Sequence, residues 1–565
     1  MVGAAKSLAG GVLSRTGNGR RPGQTPTALW TVTLAITVAV ALPVVYLAVR
    51  TIDDGEAAWD IIFRSRTAEI LLRSMLLIVC VTAGSIAIAV PLAWLTVRTD
   101  LPFRRMWSVV LMLPLVIPSY IGGFLVVVVL GPRGMLQQLL DSPFGVTRLP
   151  EIYGLAGAAL TLTLLSYPYV LITVRAALWR LDPGLEESSR GLGLGSWATF
   201  RRVTMPLLRP SIAAGAVLVA LYTLSDFGAV SLLRYETFTW AIYTQYESAF
   251  DRTIAAALSL VLVAVAVGIL LLEAGFRSRS RYHRIGVGAA RPPGLARLGR
   301  WRWPATALCA AVILFSMVLP ISVLVYWVVN GASAGEPLGF EWSAAWNSLY
   351  VSAIAAAVTV AAALAVAVLA VRHPGPIASV CERITYVGFA LPGIAVALAL
   401  VFFAIRYAIP LYQTLGLLVF AYVVLFLSPA IGSVRGSLLQ VNPRVEEAAR
   451  SLGRRPIQVI AEVTLPLVRP GLVSGAALVF LLTMKELPAT LILGPIGFNT
   501  LATAIWSAAS ESFFARAAAP ALVLVALSAA PLAFLVLRER RLETPAAGAR
   551  RESRSEGREI DFVRG

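Results

Sequence analysis

The stretch LDPGLEESSRGLG, Leu181–Gly193, returns as VNPRVEEAARSLG, Val441–Gly453, and this pair decides the fold. The offset is constant (443 − 183 = 260) and runs without a gap into TMPLLRP, Thr204–Pro210, and its partner TLPLVRP, Thr464–Pro470. Upstream, Ser74, Arg98 and Pro118 match Ser348, Arg372 and Pro392 at an offset of 274. The difference (274 − 260 = 14) places about 14 extra residues in the first copy. The stretch from Gly131 to Tyr153, with its Gly-Pro, Ser-Pro and Leu-Pro breaks, reads as an external loop. Self-similarity at a fixed offset marks a duplicated structural unit, and here each unit is about half the chain.

The 565 residues are 58% hydrophobic and 14% charged, with a mean hydropathy of +0.78. Ordinary soluble domains carry roughly 25% charged residues, which excludes that class. Apolar runs of about 20 residues cross a bilayer as helices, because lipid satisfies no exposed backbone group. Twelve are predicted, at 29–49, 70–96, 107–130, 152–176, 211–233, 254–274, 305–329, 347–371, 384–405, 411–433, 471–494 and 517–537. The expected fold is all-α and polytopic, about twelve transmembrane helices in two homologous six-helix halves. Domains follow as a tail over 1–28, a first half over 29–274 (core 70–274), a basic linker over 275–304, a second half over 305–537 (core 345–537) and a charged tail over 538–565. The first apolar run starts near Leu29 without a small-residue cleavage site, so it reads as an anchor that stays. Runs 1 and 7 look like additions before each core.

The net charge of +18 raises nucleic acid, but its distribution argues for membrane orientation instead. Arginines gather in alternate loops: Arg98, Arg104 and Arg105, then Arg180, Arg190, Arg201, Arg202 and Arg209, then eight between Arg277 and Arg302. Opposite loops hold Asp53, Asp54, Glu56, Asp60, Glu336 and Glu341, although Arg64, Arg66 and Arg73 depart from the pattern. Both termini are expected in the cytoplasm of a cell inner membrane protein. Three scattered cysteines, Cys80, Cys309 and Cys381, form no metal or disulfide pattern. His283 and His373 read as surface loop residues.

The repeated loop carries helix signals. Asp182 and Asn442 are good N-caps followed by proline at the first helical position, and two glutamates follow where the helix dipole favours negative charge. Gly193 and Gly453 suit the left-handed residue that ends such a helix. A second short helix would place Trp197, Phe200 and Val203, or Ile457, Ile460 and Val463, on one face, with Pro206 and Pro466 breaking it before the next span. The expected product is a rigid helix–turn–helix knob, present twice.

Glu447-Ala448-Ala449, Gly453 and Leu465-Pro466 together resemble the Glu-Ala-Ala loop of ABC importer permeases of the type I fold. Glu187-Ser188-Ser189, Gly193 and Met205-Pro206 keep the pattern less strictly. The resemblance implies that these loops are coupling helices docking on two ATP-binding cassette ATPase subunits, with Glu186, Glu187, Gly193 and Pro206 in one and Glu446, Glu447, Ala448, Ala449, Gly453 and Pro466 in the other. It also implies an external solute-binding protein, contact with membrane lipid, and no chemistry of the chain's own. No cofactor is expected on this chain, and ATP would be used by the partner. A Walker A loop needs lysine after glycine, whereas lysine occurs only at Lys6 and Lys485, neither after glycine. An ion-coupled secondary transporter is the alternative of another class; its usual arginine-rich loop between spans 2 and 3 does not fit Val97–Arg105. No catalytic constellation of a membrane enzyme occurs.

Charges within spans are functional candidates. Asp226 and Glu486 occupy equivalent positions (486 − 226 = 260), past the middle of spans 5 and 11, with Lys485 beside the second. They either line a translocation pathway or join a packing ion pair between Lys485 and a carboxylate of the other half. Tyr167-Pro168-Tyr169 reads as a kinked, packed helix. The fused halves and Lys485-Glu486-Leu487-Pro488-Ala489-Thr490 look most like ferric iron permeases, with thiamine, polyamine and phosphonate permeases as relatives. Carboxylates suit a hard cation, but equally a polyamine or thiamine.

Overall fold

The computed structural model describes residues 27–53, 55–248, 253–279, 295–335 and 341–543. Most of the predicted N-terminal tail, half of the basic linker (280–294, with His283), and the C-terminal tail beyond residue 543 lie outside the described residues. The described chain is helical throughout, with one isolated backbone bridge between Thr99 and Ala296.

Twelve principal helices run α1 Thr27–Asp53, α2 Ser65–Arg98, α3 Ser119–Leu130, α4 Leu155–Arg180, α5 Met205–Ser225 and α6 Thr253–Arg279 in the first half. The second half runs α7 Gly299–Ser333, α8 Trp342–Arg372, α9 Gly393–Tyr407, α10 Leu415–Gln440, α11 Leu465–Met484 and α12 Phe514–Glu543. Among the described residues, eleven segments are long and apolar enough to cross a membrane, one fewer than predicted, with Ser119–Phe144 (α3 together with the short helix that follows it) counted as one of them.

The missing one is predicted span 9, 384–405. It is not one helix but Pro376–Val387, a tight turn, and the fifteen-residue α9. Leu391 is extended because Pro392 follows it, and the helix restarts beyond that proline. Predicted span 3 breaks at the equivalent place, between Arg104–Val110 and α3, with Ile117 extended before Pro118. The expected external loop 131–153 likewise contains an amphipathic helix, Met135–Phe144.

Pro206 and Pro466 do not break the chain as expected. A π-helical turn precedes each, Phe200–Thr204 and Ile460–Thr464, and the helix continues into α5 or α11. Proline's ring collides with the carbonyl four residues back in a regular helix; a widened turn ahead of it keeps the helix running. Inside α7 the same device, at Leu314–Val318, precedes Pro320.

The outer helices α1 and α7, which precede the two cores, pack across the halves. Val40 and Leu47 of α1 are buried in the core that holds the second half, where Tyr46 donates to the Phe402 carbonyl at 3.2 Å and packs edge-on to Phe403. Cys309, Val312 and Ile313 of α7 are buried with α2 and α4 of the first half. Each half thus sends one helix across the other.

The arginines that break the charge pattern are neutralised locally. Arg66 pairs with Glu69 at 3.1 Å and with Glu236, and Arg73 pairs with the same two carboxylates.

Candidate functional site

Two places concentrate polar chemistry: the repeated knobs and the seam between the halves. Each knob is built by its own sequence. The Asp182 and Asn442 side chains accept from the amides of Gly184 and Arg444, both at 3.0 Å, opening helices Pro183–Gly191 and Pro443–Ser451. Gly193 and Gly453 close them in the left-handed region, at φ 85° and 81°. Their amides donate to the Arg190 and Arg450 carbonyls, and the next amides, of Leu194 and Arg454, donate to Ser189 and Ala449. This double cap satisfies carbonyls that a helix end otherwise leaves open.

Glu187, Glu447 and Ala448 face outward, while Ala449 is half-buried and Ser189 is buried against Thr199. The knob tips are apolar and exposed: Leu192 is 85% and Leu452 83% accessible, and Leu185, Val445 and Trp197 of the same loops are exposed as well. Exposed leucines on a polar loop are costly in water and mark a contact surface.

Glu186 and Glu446 turn the other way. The Glu446 carboxylate accepts from Arg372 Nε and Nη2 at 3.1 and 3.0 Å and from the Thr464 hydroxyl at 3.1 Å. Glu186 accepts from the Thr204 hydroxyl at 2.9 Å and lies 3.8 Å from Arg98 Nη2. Motif reading placed both glutamates on the docking helix and passed over Arg98, Arg372, Thr204 and Thr464. The signal was present, because Arg98 and Arg372 match across the repeat. His373 lies in the loop just past α8, as expected, and is half-buried there. Burial first, and then the Arg450 guanidinium, lower its proton affinity against the opposing pull of Glu446.

The second place lies at the far ends of α5 and α11, about 30 Å of helix from the knobs at 1.5 Å per residue. Asp226 and Glu486 were expected inside these spans, but both helices stop first, at Ser225 and Met484, and short helices Gly228–Leu232 and Pro488–Leu493 follow. Asp226 Oδ2 accepts from the Ala229 and Val230 amides at 3.0 and 3.3 Å, and Glu486 Oε1 accepts from the Ala489 amide at 3.3 Å. Each carboxylate therefore caps the helix that follows its own break. Lys485 does not pair with a carboxylate of the other half. Its Nζ donates to the Leu115 carbonyl at 2.7 Å, joining the break of span 11 to the break of span 3. Trp506 reinforces the seam, donating to Ser231 Oγ at 3.2 Å and packing on Phe227 at 5.6 Å.

The two breaks solve one problem differently. The Ser119 hydroxyl faces Asp226, whereas its counterpart Gly393 (119 + 274 = 393) faces the longer Glu486. A Cβ on Gly393 would collide with Glu486 Oε1. Ser74 and Ser348, also paired by the repeat, accept from the Phe238 and Leu501 amides at 3.3 and 2.8 Å, opening equivalent helices beyond each break. Tyr167 and Tyr169 pack in an unbroken α4, the first donating to the Leu111 carbonyl at 2.9 Å. Among the described residues, no group of three or more His, Cys, Asp or Glu side chains gathers to hold a metal.

Duplicated halves, broken helices meeting at a common seam and a matched pair of apolar-tipped knobs define a polytopic transport permease with both halves in one chain. The chain belongs to the family of binding-protein-dependent transport system inner membrane components, whose model matches it twice, at 85–281 and 357–544. It is thus a multi-pass inner-membrane permease of an ABC importer. It is 35% identical over 521 residues to the Fe(3+)-transport system permease protein FbpB 2 of Haemophilus influenzae, an alignment covering 91% of this chain and 98% of that one. It is 25% identical to the ferric transport system permease protein FbpB of Actinobacillus pleuropneumoniae over 68% of this chain and 58% of that one. The molybdenum transport system permease protein ModB of Escherichia coli K12 is 35% identical over 178 residues, 30% of this chain and 76% of its own.

Proposed function

We propose that this chain forms the whole membrane pathway of an ATP-driven importer of ferric iron. The observation that carries the reading is the single alignment through both halves to a permease named for Fe(3+) transport. Of the relatives above, those named for ferric transport align over 68% and 91% of this chain, whereas the molybdenum permease matches 30%. One ATPase subunit docks on each knob, where Leu192 and Leu452 supply apolar anchors and Glu187 and Glu447 a charged rim. A solute-binding protein delivers the solute at the opposite face. Both termini lie on the ATPase side, which is the cytoplasmic side.

The seam is the constriction of this pathway. Lys485 ties it across the halves, and Asp226 and Glu486 hold the two capped breaks in place. Neither carboxylate is a free ligand in this arrangement, so selection rests mainly on the binding protein. The decisive measurement is uptake of labelled ferric iron by a deletion strain and its complemented parent, with thiamine, spermidine and molybdate in parallel. Iron uptake lost on deletion and restored by the gene is the expected result. Unchanged iron uptake with loss of another solute would overturn iron and leave the permease assignment standing.

A further inference from the structure

The buried face of each knob carries more than packing. Glu446 is one residue from Glu447, yet its side chain is 5% exposed and reaches into the body of the protein. There Arg372, at the last turn of α8, takes it with two nitrogens, and the same guanidinium donates to the Leu438 and Val441 carbonyls at 3.4 and 3.2 Å. Thr464 donates to the same carboxylate from the π-helical turn that feeds α11. One buried ion pair therefore gathers the end of α8, the end of α10, the knob helix and the start of α11. The first half repeats the arrangement with Arg98, Leu181, Glu186 and Thr204.

We propose that Arg98 and Arg372 are positioning residues that couple the knobs to the membrane helices. This rests on reading the knobs as the ATPase contacts. A knob joined to the rest only by its connecting chain would swing about its ends. A buried charge pair does not bend and is costly to separate, so displacement of the knob passes into α2 or α8. The two clamps are unequal. Arg372 engages through two nitrogens, whereas Arg98 Nη2 stands 3.8 Å from its carboxylate and Arg98 Nε and Nη1 are buried without a hydrogen-bond partner. The second half is the stiffer arm.

The test uses the whole complex, permease with its ATPase and binding protein, in lipid nanodiscs. The readout is the ratio of ATP hydrolysis with and without the binding protein, which assumes nothing about the solute. Coupling free energies of this kind are worth about 5- to 150-fold, and Arg372→Gln is expected to lower the ratio about tenfold. Basal hydrolysis and the amount of co-purified ATPase should stay within about twofold of wild type. Arg98→Gln should lower the ratio less. Arg372→Lys, which keeps the charge without the fork, should recover part of the ratio. The charge swap Arg372→Glu with Glu446→Arg should recover less, because it restores the pair but sets a carboxylate against the Leu438 and Val441 carbonyls. An unchanged ratio in Arg372→Gln overturns the proposal. So does loss of the ATPase from the complex that Arg372→Lys does not restore, since that is a purely structural role. Cysteine at Leu452 tests the underlying reading separately, because failure to cross-link to the ATPase refutes the docking assignment itself.

Discussion

Replacing Gly453 by valine isolates the turn that ends the second knob. The residue sits at φ 81°, and no atom lies within 4 Å of where a Cβ would be, so the penalty is backbone strain rather than collision. An L-residue in the left-handed region costs about 1–2 kcal/mol, and a branched Cβ stands at the upper end. The chain escapes only by surrendering the caps from Gly453 to Arg450 and from Arg454 to Ala449. At about 0.5–1.5 kcal/mol each, that escape is no cheaper. Either route depopulates the correctly ended knob by roughly 5- to 30-fold at 1–2 kcal/mol. Membrane insertion should be untouched, because the knob lies outside the spans. The assay is binding-protein-stimulated ATP hydrolysis in nanodiscs together with uptake in whole cells, each normalised to permease in the membrane. Valine should lose most of both, whereas asparagine, which tolerates the left-handed region, should retain most. Wild-type activity in Gly453→Val, at wild-type abundance, would refute the link between this turn and transport. Gly193→Val, at φ 85°, should behave alike but more mildly, because the first clamp is looser.

Topology is open to direct labelling: cysteines at the exposed positions Ser142 and Ser333 should react with an impermeant maleimide in intact cells, and one at Ser451 only after permeabilisation. The reverse pattern would invert the orientation. At the seam, Gly393→Ser should displace Glu486 from its cap on Ala489 and lower stability by about 1 kcal/mol. Adding Glu486→Asp, which recreates the Ser119–Asp226 arrangement of the first half, should recover it; a thermal melt of the purified permease in which the double variant is the least stable would contradict this pairing. Lys485→Met removes the charged donor from the part-buried Leu115 carbonyl, costing about 1–3 kcal/mol, and should raise basal hydrolysis if that bond helps hold the seam shut. An unchanged basal rate would remove Lys485 from the gate.

Periodicity and repetition determined a great deal here. Composition fixed a helical membrane protein, and the 260-residue offset fixed two halves running the same way. The knobs were legible to the residue, Asp182 and Asn442 at one end and Gly193 and Gly453 at the other, because caps are local and depend on neighbours within one turn. Contacts across distance were not legible. Nothing in the order of residues says that Glu186 and Glu446 point inward while Glu187 and Glu447 point out, since both choices suit a short polar helix. That choice is made by Arg98 and Arg372, 88 and 74 residues earlier (186 − 98 and 446 − 372), delivered to the same place by the folding of α2 and α8. Hydropathy likewise counted 384–405 as one span, because apolar content registers burial and not whether a helix is continuous through Gly388 and Pro392. The crossing of α1 and α7 onto the opposite halves belongs to tertiary structure alone. In lipid every helix face is apolar, so hydropathy cannot name a partner; close packing of shapes does.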